Sequence, residues 1–387
     1  MFVKRTAEKT FKALLQQYPV VAVTGPRQSG KTTLVRHACP DKPYVLLEDL
    51  DTRQFAQDDP RGFLAQYPDG AIFDEVQRCP DLLSYLQGIV DRDQRPGLFV
   101  LTGSQQLSFR SGISQTLAGR VALLPLLPFS LSALNNADLV PESLQGLLWK
   151  GCYPPIYDRG FNPGTWCGNY VRTYIERDVR ELINVRDLST FQRFLRLCAG
   201  RTGQLVNLSG LAGDCGITHN TAKAWISVLE ASYIIHLLQP HHQNFNKRLV
   251  KTPKLYFLDT GLAVWLLGIH DPAHLLLHPL YGSLFESFVV SEFLKTRLHA
   301  GLESNLYFWR DRSGHEIDLL VDEGHRILPV EVKSGQTVSA DFLKPIKRWQ
   351  EIAGAAAGPA MLVYGGTEVQ ERTDCKVIPW RQLGLNC

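Results

Sequence analysis

The chain has 387 residues, of which 44% are hydrophobic, 10% aromatic and 20% charged, and its formal net charge at pH 7 is +3. These fractions are those of a globular protein, and they exclude a fibrous or an intrinsically disordered chain. The charge is too small to indicate a nucleic-acid partner by itself. A chain of this length is too long to fold around a single hydrophobic core, so two or three domains are expected.

The cysteines and the apolar segments indicate a compartment. The eight cysteines are scattered, with no C-x-x-C pair and no Cys/His cluster, which argues against structural zinc or a disulfide framework and favours a reducing compartment. The opening MFVKRTAEKTF has no apolar secretion signal, and the segments VALLPLLPFSLSAL and GLAVWLLGI are too short to span a bilayer. We therefore expect a cytoplasmic protein without a membrane partner.

The strongest motif follows an apolar run at residues 20–24 and fits the pattern G-x-x-x-x-G-K-[ST]. Its residues are Gly25, Pro26, Arg27, Gln28, Ser29, Gly30, Lys31 and Thr32, and Thr33 continues into a helix-compatible stretch. Backbone N–H groups of such a loop surround phosphates, the lysine neutralises β/γ-phosphate charge, and the threonine hydroxyl coordinates Mg²⁺. These nine residues are therefore predicted to bind ATP with Mg²⁺.

A second acidic element lies about forty residues further on, in GAIFDEVQ, where an apolar strand ends in Asp74 and Glu75. Asp74 suits a water-mediated Mg²⁺ ligand. Glu75 suits the base, or the residue that orients water, in ATP hydrolysis. The pair predicts an ATPase.

Two further positions allow alternatives. The segment GLFVLTGS ends in Thr102 and Ser104, which either sense the γ-phosphate or cap the next helix. Arg120 precedes another predicted strand. It is either a finger that reaches the nucleotide of a neighbouring subunit or one half of a surface ion pair.

Strand-like runs in the first third alternate with helical segments. The runs cover residues 20–24, 44–47, 71–73, 98–102 and 121–124. This pattern predicts an α/β fold in which a parallel sheet carries helices on both faces. Residues 1–17 are predicted to form a lead-in helix with Phe11, Leu14 and Leu15 on its apolar side.

A helical stripe between residues 165 and 185 has an apolar and a polar face. The apolar positions are Tyr170, Tyr174, Ile175, Val179 and Leu182, and the polar ones are Arg172, Glu176, Arg177, Asp178 and Arg180. The segment is either a solvated helix with i,i+4 pairs or one whose Arg177 or Asp178 communicates with the nucleotide site.

The segment LVNLSGLAGDCGITHNTAKAWISVLEASYIIHLL resembles a helix-turn-helix, with a first helix at 208–214, Gly216 in the turn, and Thr218 or His219 as the second cap. The predicted core positions are Ile217, Ala222, Trp225 and Leu229. The exposed positions where a recognition helix meets DNA are His219, Asn220, Thr221 and Lys223.

Two strands then flank QPHHQNFNKRLVKTPK, which resembles the wing of a winged helix and carries Lys247, Arg248, Lys251 and Lys254. Such side chains bind phosphates without reading sequence. DNA is the expected partner, and contact with a protein is the alternative.

Near the end of the chain, HEIDLLVDEGHRILPVEVKSG predicts a hairpin turning at Asp322-Glu323-Gly324. Glu331 and Lys333 share one strand face, with Asp318 on the paired strand and Glu286 on a preceding amphipathic helix. The carboxylates of Asp318 and Glu331 suit Mg²⁺. Lys333 would orient or help deprotonate water, which predicts metal-assisted phosphodiester hydrolysis. The alternative is a hairpin whose charges pair in solvent.

Two resemblances rest on these residues. The first 150 positions resemble a P-loop ATPase of the AAA+ superfamily through GPRQSGKTT, IFDEVQ, LTGS and LAGR. The C-terminal part resembles the PD-(D/E)xK nuclease-like fold through Asp318, Glu331-Val332-Lys333 and the helical acid Glu286. The chain departs from these patterns at Ser104, where many AAA+ proteins have Asn, and at EID, where Pro-Asp is typical.

The whole chain, including YIERDV, KTPKLYFLDTGLAVWLL and FESFVVSE, resembles prokaryotic AAA+ proteins with a C-terminal domain of unknown function. The resemblance implies an AAA+ domain at 1–135, a helical bridge or lid at 136–188, a winged helix-turn-helix at 189–268, and an α/β restriction-endonuclease-like domain at 269–387. It also implies a homo-oligomeric ring, with a hexamer favoured.

We therefore predict an ATP-hydrolysing protein that binds and processes DNA by translocation, branch migration or repair-like remodelling, with a candidate Mg²⁺-dependent endonuclease site. The alternative is an ATP-switched regulatory or scaffolding protein whose C-terminal domain binds DNA or a protein without cleavage.

Overall fold

The structure is a computed structural model, and it describes residues 2–104, 116–175, 188–241, 251–311 and 313–384. The chain divides into two compact units. The first comprises Met1–Phe129, Ala231–Tyr233 and Leu298–Leu302, and the second comprises Ser130–Glu230, Ile234–Arg297 and Glu303–Cys387. The domain boundaries at 135, 188 and 268 stay predictions.

Some predicted features lie outside the described residues. They are the basic residues Lys247 and Arg248 and the part of the helical stripe from residue 176 to 182, including Arg177 and Asp178. The side chains of Ser104, Tyr174 and Ile175 are likewise outside the description.

The first unit is built on a parallel sheet. Within the described residues its strands are β1 (Val20–Gly25), β2 (Tyr44–Leu46), β3 (Ile72–Asp74), β4 (Phe99–Ser104) and β5 (Val121–Pro125), in the order β2-β3-β4-β1-β5. Val20 of β1 pairs with Phe99 of β4 and with Val121 of β5. The predicted strands and the α/β class of this unit are confirmed.

Both faces of this sheet are buried. The surrounding helices are α1 (Ala7–Leu15), α2 (Lys31–Ala38), α3 (Leu50–Asp58), α4 (Pro60–Ala65) and α5 (Leu82–Val90). Val20 and Ala22 of β1 belong to one core cluster and Val21 and Val23 to another. Consecutive side chains of a strand point to opposite faces, so a parallel sheet covered on both sides needs an unbroken apolar run. The predicted lead-in helix is α1, in which Phe11 is fully buried.

The second unit contains most of the described helices. They are α6 (Leu131–Asn135), α7 (Leu144–Lys150), α8 (Pro154–Asp158), α9 (Pro163–Tyr170), α10 (Leu188–Ala199), α11 (Leu208–Cys215), α12 (His219–Ala231), α13 (Thr260–Leu266), α14 (Pro272–Leu276), α15 (Tyr281–His299) and α16 (Lys344–Ala353). A π-helical turn, Val171–Ile175, continues α9. Among the helices described, none combines the length and the apolar content needed to cross a membrane.

Helix α11 begins at the predicted residue and ends one residue later than predicted, and α12 begins directly after the predicted cap Thr218. Gly216 ends α11 with φ of 69°, a left-handed conformation that favours glycine. Thr218 caps α12, because its Oγ1 accepts a hydrogen bond of 3.1 Å from the Thr221 amide. Ala222 and Trp225 are buried as predicted.

The strands of the second unit form one mixed sheet. Within the described residues they are β6 (Gln204–Leu205), β7 (Ile235–Pro240), β8 (Lys254–Phe257), β9 (Leu306–Arg310), β10 (Glu316–Asp322), β11 (Ile327–Lys333), β12 (Ala360–Tyr364), β13 (Gln370–Glu371) and β14 (Cys375–Pro379). Their order is β13-β14-β12-β11-β10-β9-β7-β8-β6. The predicted hairpin is β10–β11, with Leu319 opposite Val330.

Helix α15 differs from the prediction of an amphipathic helix. Its expected core residues, Phe285, Phe288, Val289 and Leu294, are buried, but Glu292 and Lys295 are buried as well. The ammonium of Lys295 pairs with the Glu292 carboxylate at 2.7 Å. A solvated face was expected at these positions. They can be buried instead, because the two charges neutralise each other inside the unit.

Candidate functional site

The glycine-rich loop between β1 and α2 has the backbone geometry of a phosphate cradle. Gly25 has φ of 147° and Gly30 has φ of 95°. A Cβ at Gly25 would lie 2.2 Å from the carbonyl oxygen of Leu126, so a side chain does not fit there. The backbone of Gln28 has a left-handed conformation, with φ of 59°, although the residue is not glycine. Residues with such backbone strain cluster at ligand-binding loops.

Lys31 is placed at the mouth of this loop by the start of α2. Its ammonium donates hydrogen bonds to the carbonyls of Gly25 at 3.2 Å and Pro26 at 2.9 Å, and the residue is 6% exposed. The N-terminal N–H groups of α2 add positive potential at the same place. The loop therefore combines the donors and the cation that a triphosphate requires.

Asp74 joins three strands at the carboxyl edge of the sheet. Its Oδ2 accepts hydrogen bonds from the hydroxyls of Thr32 at 2.8 Å and Tyr44 at 2.6 Å. Its Oδ1 accepts from the Thr102 hydroxyl and from the Glu75 amide at 3.2 Å. Thr32 and Asp74 are therefore neighbours, as a shared Mg²⁺ requires, and they fit that ion.

Tyr44 was missed by the sequence reasoning. Burial, followed by the hydrogen bond to Asp74, raises the pKa of Tyr44 well above its ordinary value, so the hydroxyl stays protonated and donates. Its position as the first residue of β2 is the one local signal that could have suggested the role, because β2 borders β3 in the sheet.

Glu75 has a strained backbone and a fixed carboxylate. Its φ is 56°, in the left-handed region, although it is not glycine. The side-chain amide of Gln77 donates a hydrogen bond to Glu75 Oε2. Backbone strain of about 1–3 kcal/mol persists where the surroundings enforce it, which is common at functional residues.

Arg120 forms an ion pair with Asp91 and donates a hydrogen bond to the Ala118 carbonyl at 2.9 Å. Its side chain is 34% exposed. Asp91 is thus a partner within the same subunit, and the role of Arg120 as a finger stays a prediction.

Arg5 is a second residue that the sequence did not reveal. It is 4% exposed, and its guanidinium donates to the Ser29 carbonyl at 2.8 Å, to the Pro128 carbonyl at 3.1 Å, and to the Leu127 carbonyl. It therefore ties the phosphate loop to the chain that follows β5.

The second site is a carboxylate cluster on α15 and β10. Among the described residues, Glu286, Glu316 and Asp318 each offer an oxygen atom within 4.8 Å of the others. Glu286 and Asp318 were predicted to meet, and Glu316 was not considered. We call these three residues the carboxylate cluster.

Strand β11 adds Glu331 and Lys333 beside the cluster. The ammonium of Lys333 lies 3.4 Å from Asp318 Oδ2 and also donates to Glu331 Oε1. The Val332 amide donates to Asp318 Oδ2 at 2.9 Å. The structure therefore brings Asp318, Glu331 and Lys333 together on adjacent strands.

Lys254 corrects one prediction. It was expected to be an exposed cation of the wing, but it is 2% exposed and lies inside the second unit. As the first residue of β8 it pairs in register with Leu238 on one side and Leu205 on the other. Its ammonium lies 3.0 Å from Glu286 Oε1 and also pairs with Glu316.

The protonation of this site follows from burial and from these pairs. Burial raises the pKa of Glu286 to about 7, against the opposing effect of Lys254. Burial and then the Asp318 charge raise the pKa of Glu331 to about 8. Burial lowers the pKa of Lys254, but Glu286, Asp318 and Glu316 outweigh it, so the group remains an ammonium.

The same balance holds for Lys333. Burial lowers its pKa, but the carboxylates of Asp318 and Glu331 outweigh burial, and the net pKa is above the ordinary value. At neutral pH Lys333 is thus an ammonium that orients or neutralises, not a base that removes a proton from water.

Two observations favour a metal ion at the cluster and one opposes it. The three oxygen donors are close together, and Glu331 Oε2 is buried without a hydrogen-bond partner among the described residues. However, the Lys254 ammonium is bonded to two of the three carboxylates. As folded, the cluster does not fit Mg²⁺, because the protein's own cation already neutralises two of its three carboxylates.

The predicted DNA contacts that the structure describes lie on α12 and before β8. Lys223 and Lys251 are exposed, whereas Thr221 is half-buried. The Thr221 hydroxyl is 2.8 Å from the hydroxyl of Thr218, so the two hydroxyls share one hydrogen bond at the start of α12.

Comparison with protein families divides the chain into three matched segments. An AAA domain matches residues 17–135, a domain of unknown function (DUF8612) matches residues 141–273, and another domain of unknown function (DUF4143) matches residues 281–383. Together with the parallel sheet and the glycine-rich loop, the first match defines an AAA+ ATPase domain of the P-loop type.

Two uncharacterized mycobacterial proteins, Rv2008c of Mycobacterium tuberculosis and Mb2031c of Mycobacterium bovis, are each 33% identical to this chain over 342 residues. The match covers 87% of this chain and 75% of each of theirs. The chain belongs to the family of these two proteins.

Solved structures show weaker similarity. The Walker-type ATPase PABY2304 of Pyrococcus abyssi is 16% identical, with 68% of this chain and 96% of that chain covered and a TM-score of 0.44. A single-residue variant of RuvB from Thermotoga maritima is 18% identical, with 60% and 88% covered and a TM-score of 0.29.

Proposed function

We propose that this protein hydrolyses ATP and uses the reaction to act on DNA. The observation that supports hydrolysis is the meeting of Thr32, Asp74 and Glu75 beside the Lys31 loop. Thr32 and Asp74 hold Mg²⁺, which neutralises charge on the phosphates when it is bound. Lys31 contacts the β/γ-phosphates, and Glu75, fixed by Gln77, orients the attacking water.

Subunit assembly completes the proposal for hydrolysis. Arg120 acts as a finger toward a neighbouring subunit in a homo-oligomeric ring, with a hexamer favoured. For this role Arg120 must leave its ion pair with Asp91 and bind a phosphate instead. Phosphate competes well with the Asp91 carboxylate, because a guanidinium binds phosphate with two parallel hydrogen bonds.

The proposed DNA interface consists of α12 and the segment before β8, in the manner of a winged helix. Lys223 and Lys251 are exposed there, and Lys247 and Arg248 belong to the same proposed interface. Exposed lysines bind phosphates independently of sequence. The alternative, an ATP-switched regulatory or scaffolding protein that uses this surface for another protein, predicts ATP turnover that does not respond to DNA.

The double substitution Lys223→Ala/Lys251→Ala is expected to weaken binding of a fluorescent DNA duplex by roughly 3- to 10-fold and to reduce the slope of log K against log salt by about 2. Fluorescence anisotropy at several salt concentrations measures both quantities. The matched control is Lys347→Ala, which removes an exposed lysine that pairs with Asp374. Equal weakening by the control, or an unchanged salt slope, would remove these lysines from the interface.

Metal-dependent cleavage of DNA was also predicted from Asp318, Glu331 and Lys333, which converge on adjacent strands. We do not propose this activity, because the carboxylate cluster beside them, as folded, does not fit Mg²⁺. The full chain with Mg²⁺ is therefore expected to leave duplex and branched DNA intact, which gel analysis measures. Cleavage by the wild type that Lys333→Ala abolishes would contradict this expectation.

A further inference from the structure

The ammonium of Lys254 lies inside the carboxylate cluster. It is 3.0 Å from Glu286 Oε1 and also pairs with Glu316. The rings of Phe308 and Tyr256 lie 5.5 Å and 6.0 Å from it, within the range of cation–π attraction. The lysine is therefore held by carboxylates and ring faces together, and it is 2% exposed.

The surroundings of the cluster show why a cation is needed. Among the described residues four carboxylates meet here, since Glu331 interacts with Asp318 and Glu286 of the cluster, and buried carboxylates are costly without partners. The part of the chain that the structure describes supplies three cations. Lys254 is joined by Lys333, and by Arg310, whose guanidinium lies 3.1 Å from Glu316 Oε2.

A divalent ion would compete with Lys254 for the same carboxylates. The oxygens that could ligate a metal include those of Glu286 and Glu316, and each of these residues gives an oxygen to the Lys254 ammonium. The Tyr256 hydroxyl also donates to Glu286 Oε1. An ammonium and a divalent ion at contact distance repel each other strongly in a partly buried site.

We propose that Lys254 is the resident cation of the carboxylate cluster and excludes divalent metal from it. In this chain the nuclease-like centre is a lysine-neutralised structural core, and removal of the ammonium converts it into a divalent cation site ligated by Glu286, Glu316 and Asp318. The inference goes beyond the proposed ATP hydrolysis and DNA binding, neither of which requires the cluster to hold a metal.

The test is a titration of the nucleotide-free full chain with Mn²⁺. Electron paramagnetic resonance measures the concentration of the free ion and thus the amount bound. The wild type and the surface control Lys347→Met are expected to bind Mn²⁺ at least 10-fold more weakly than Lys254→Met, which gains one site per chain. Adding Asp318→Asn to Lys254→Met removes the gained site, whereas adding Asp74→Asn keeps it, because Asp74 belongs to the ATP site.

A wild-type chain that binds Mn²⁺ as tightly as Lys254→Met, at a site lost in Asp318→Asn, would overturn the proposal. Since Lys254→Met leaves buried carboxylates without their cation, Lys254→Met/Glu331→Gln, which removes a neighbouring carboxylate that is not one of the proposed ligands, serves as the second variant. Mn²⁺ is expected to raise its melting temperature by several degrees and to leave that of the wild type unchanged.

A folded double variant that Mn²⁺ neither binds nor stabilises would likewise overturn the proposal. ATP turnover and DNA binding of the same preparations are measured separately. Failure of the proposed function would therefore show in those assays and not in Mn²⁺ binding.

Discussion

Glu75→Gln is expected to lower the turnover number for ATP by roughly 100- to 1,000-fold, which is typical of losing a general base or a water-orienting carboxylate. ATP affinity should change by no more than about 3-fold, because Lys31, Thr32 and Asp74, which contact the phosphates and Mg²⁺, are untouched. Steady-state turnover and equilibrium binding of a fluorescent ATP analogue measure the two quantities.

The structure gives this prediction its specificity. Glutamine retains the size of glutamate, so the left-handed backbone at residue 75 and the neighbouring Asp74 contact are preserved. Glu351→Gln, an exposed glutamate on α16, is the control and should keep full turnover. A Glu75→Gln protein that hydrolyses ATP at the wild-type rate would show that another group orients the water.

Lys295→Met is expected to lower the free energy of unfolding by about 3–5 kcal/mol, because it leaves the buried Glu292 carboxylate without its cation. Lys295 is 1% exposed and Glu292 is 3% exposed, with 2.7 Å between their charged atoms. At about 2–4 °C per kcal/mol, the melting temperature should fall by roughly 6–20 °C. Thermal unfolding followed by circular dichroism measures the change.

A double-mutant cycle separates the pair from other effects. Glu292 Oε2 also accepts a hydrogen bond of 2.7 Å from the Leu131 amide, at the start of α6, and glutamine can keep that acceptor. Lys295→Met/Glu292→Gln should therefore be more stable than Lys295→Met alone, since no uncompensated charge remains. If the double variant is as unstable as the sum of both single changes, the ion pair is not the cause.

The nucleotide site could be predicted because its residues are close in sequence and because glycines occupy the positions where its backbone needs a positive φ or a close approach. The phosphate loop occupies eight consecutive positions, and Asp74 ends a buried strand that Glu75 directly follows. The strands of the first sheet could also be predicted, since a parallel sheet covered on both faces needs continuous apolar runs.

What the sequence could not show are contacts between distant residues. Lys254 is in a basic segment, and its partners Glu286 and Glu316 lie 32 and 62 positions further along the chain. The basic segment therefore favoured an exposed wing residue, whereas Lys254 belongs to β8, which pairs with strands on both sides, and its side chain is buried. Arg5 and Tyr44 were missed for the same reason, because their partners are carbonyls and a carboxylate supplied by other elements.

The most direct measurement is ATP turnover by the full chain with Mg²⁺, titrated with duplex DNA. The proposed function predicts turnover that rises several-fold at saturating DNA and is lost in Glu75→Gln. Turnover that is unaffected by DNA would contradict the action on DNA and favour the regulatory alternative. The absence of turnover by the wild type, with and without DNA, would contradict ATP hydrolysis itself.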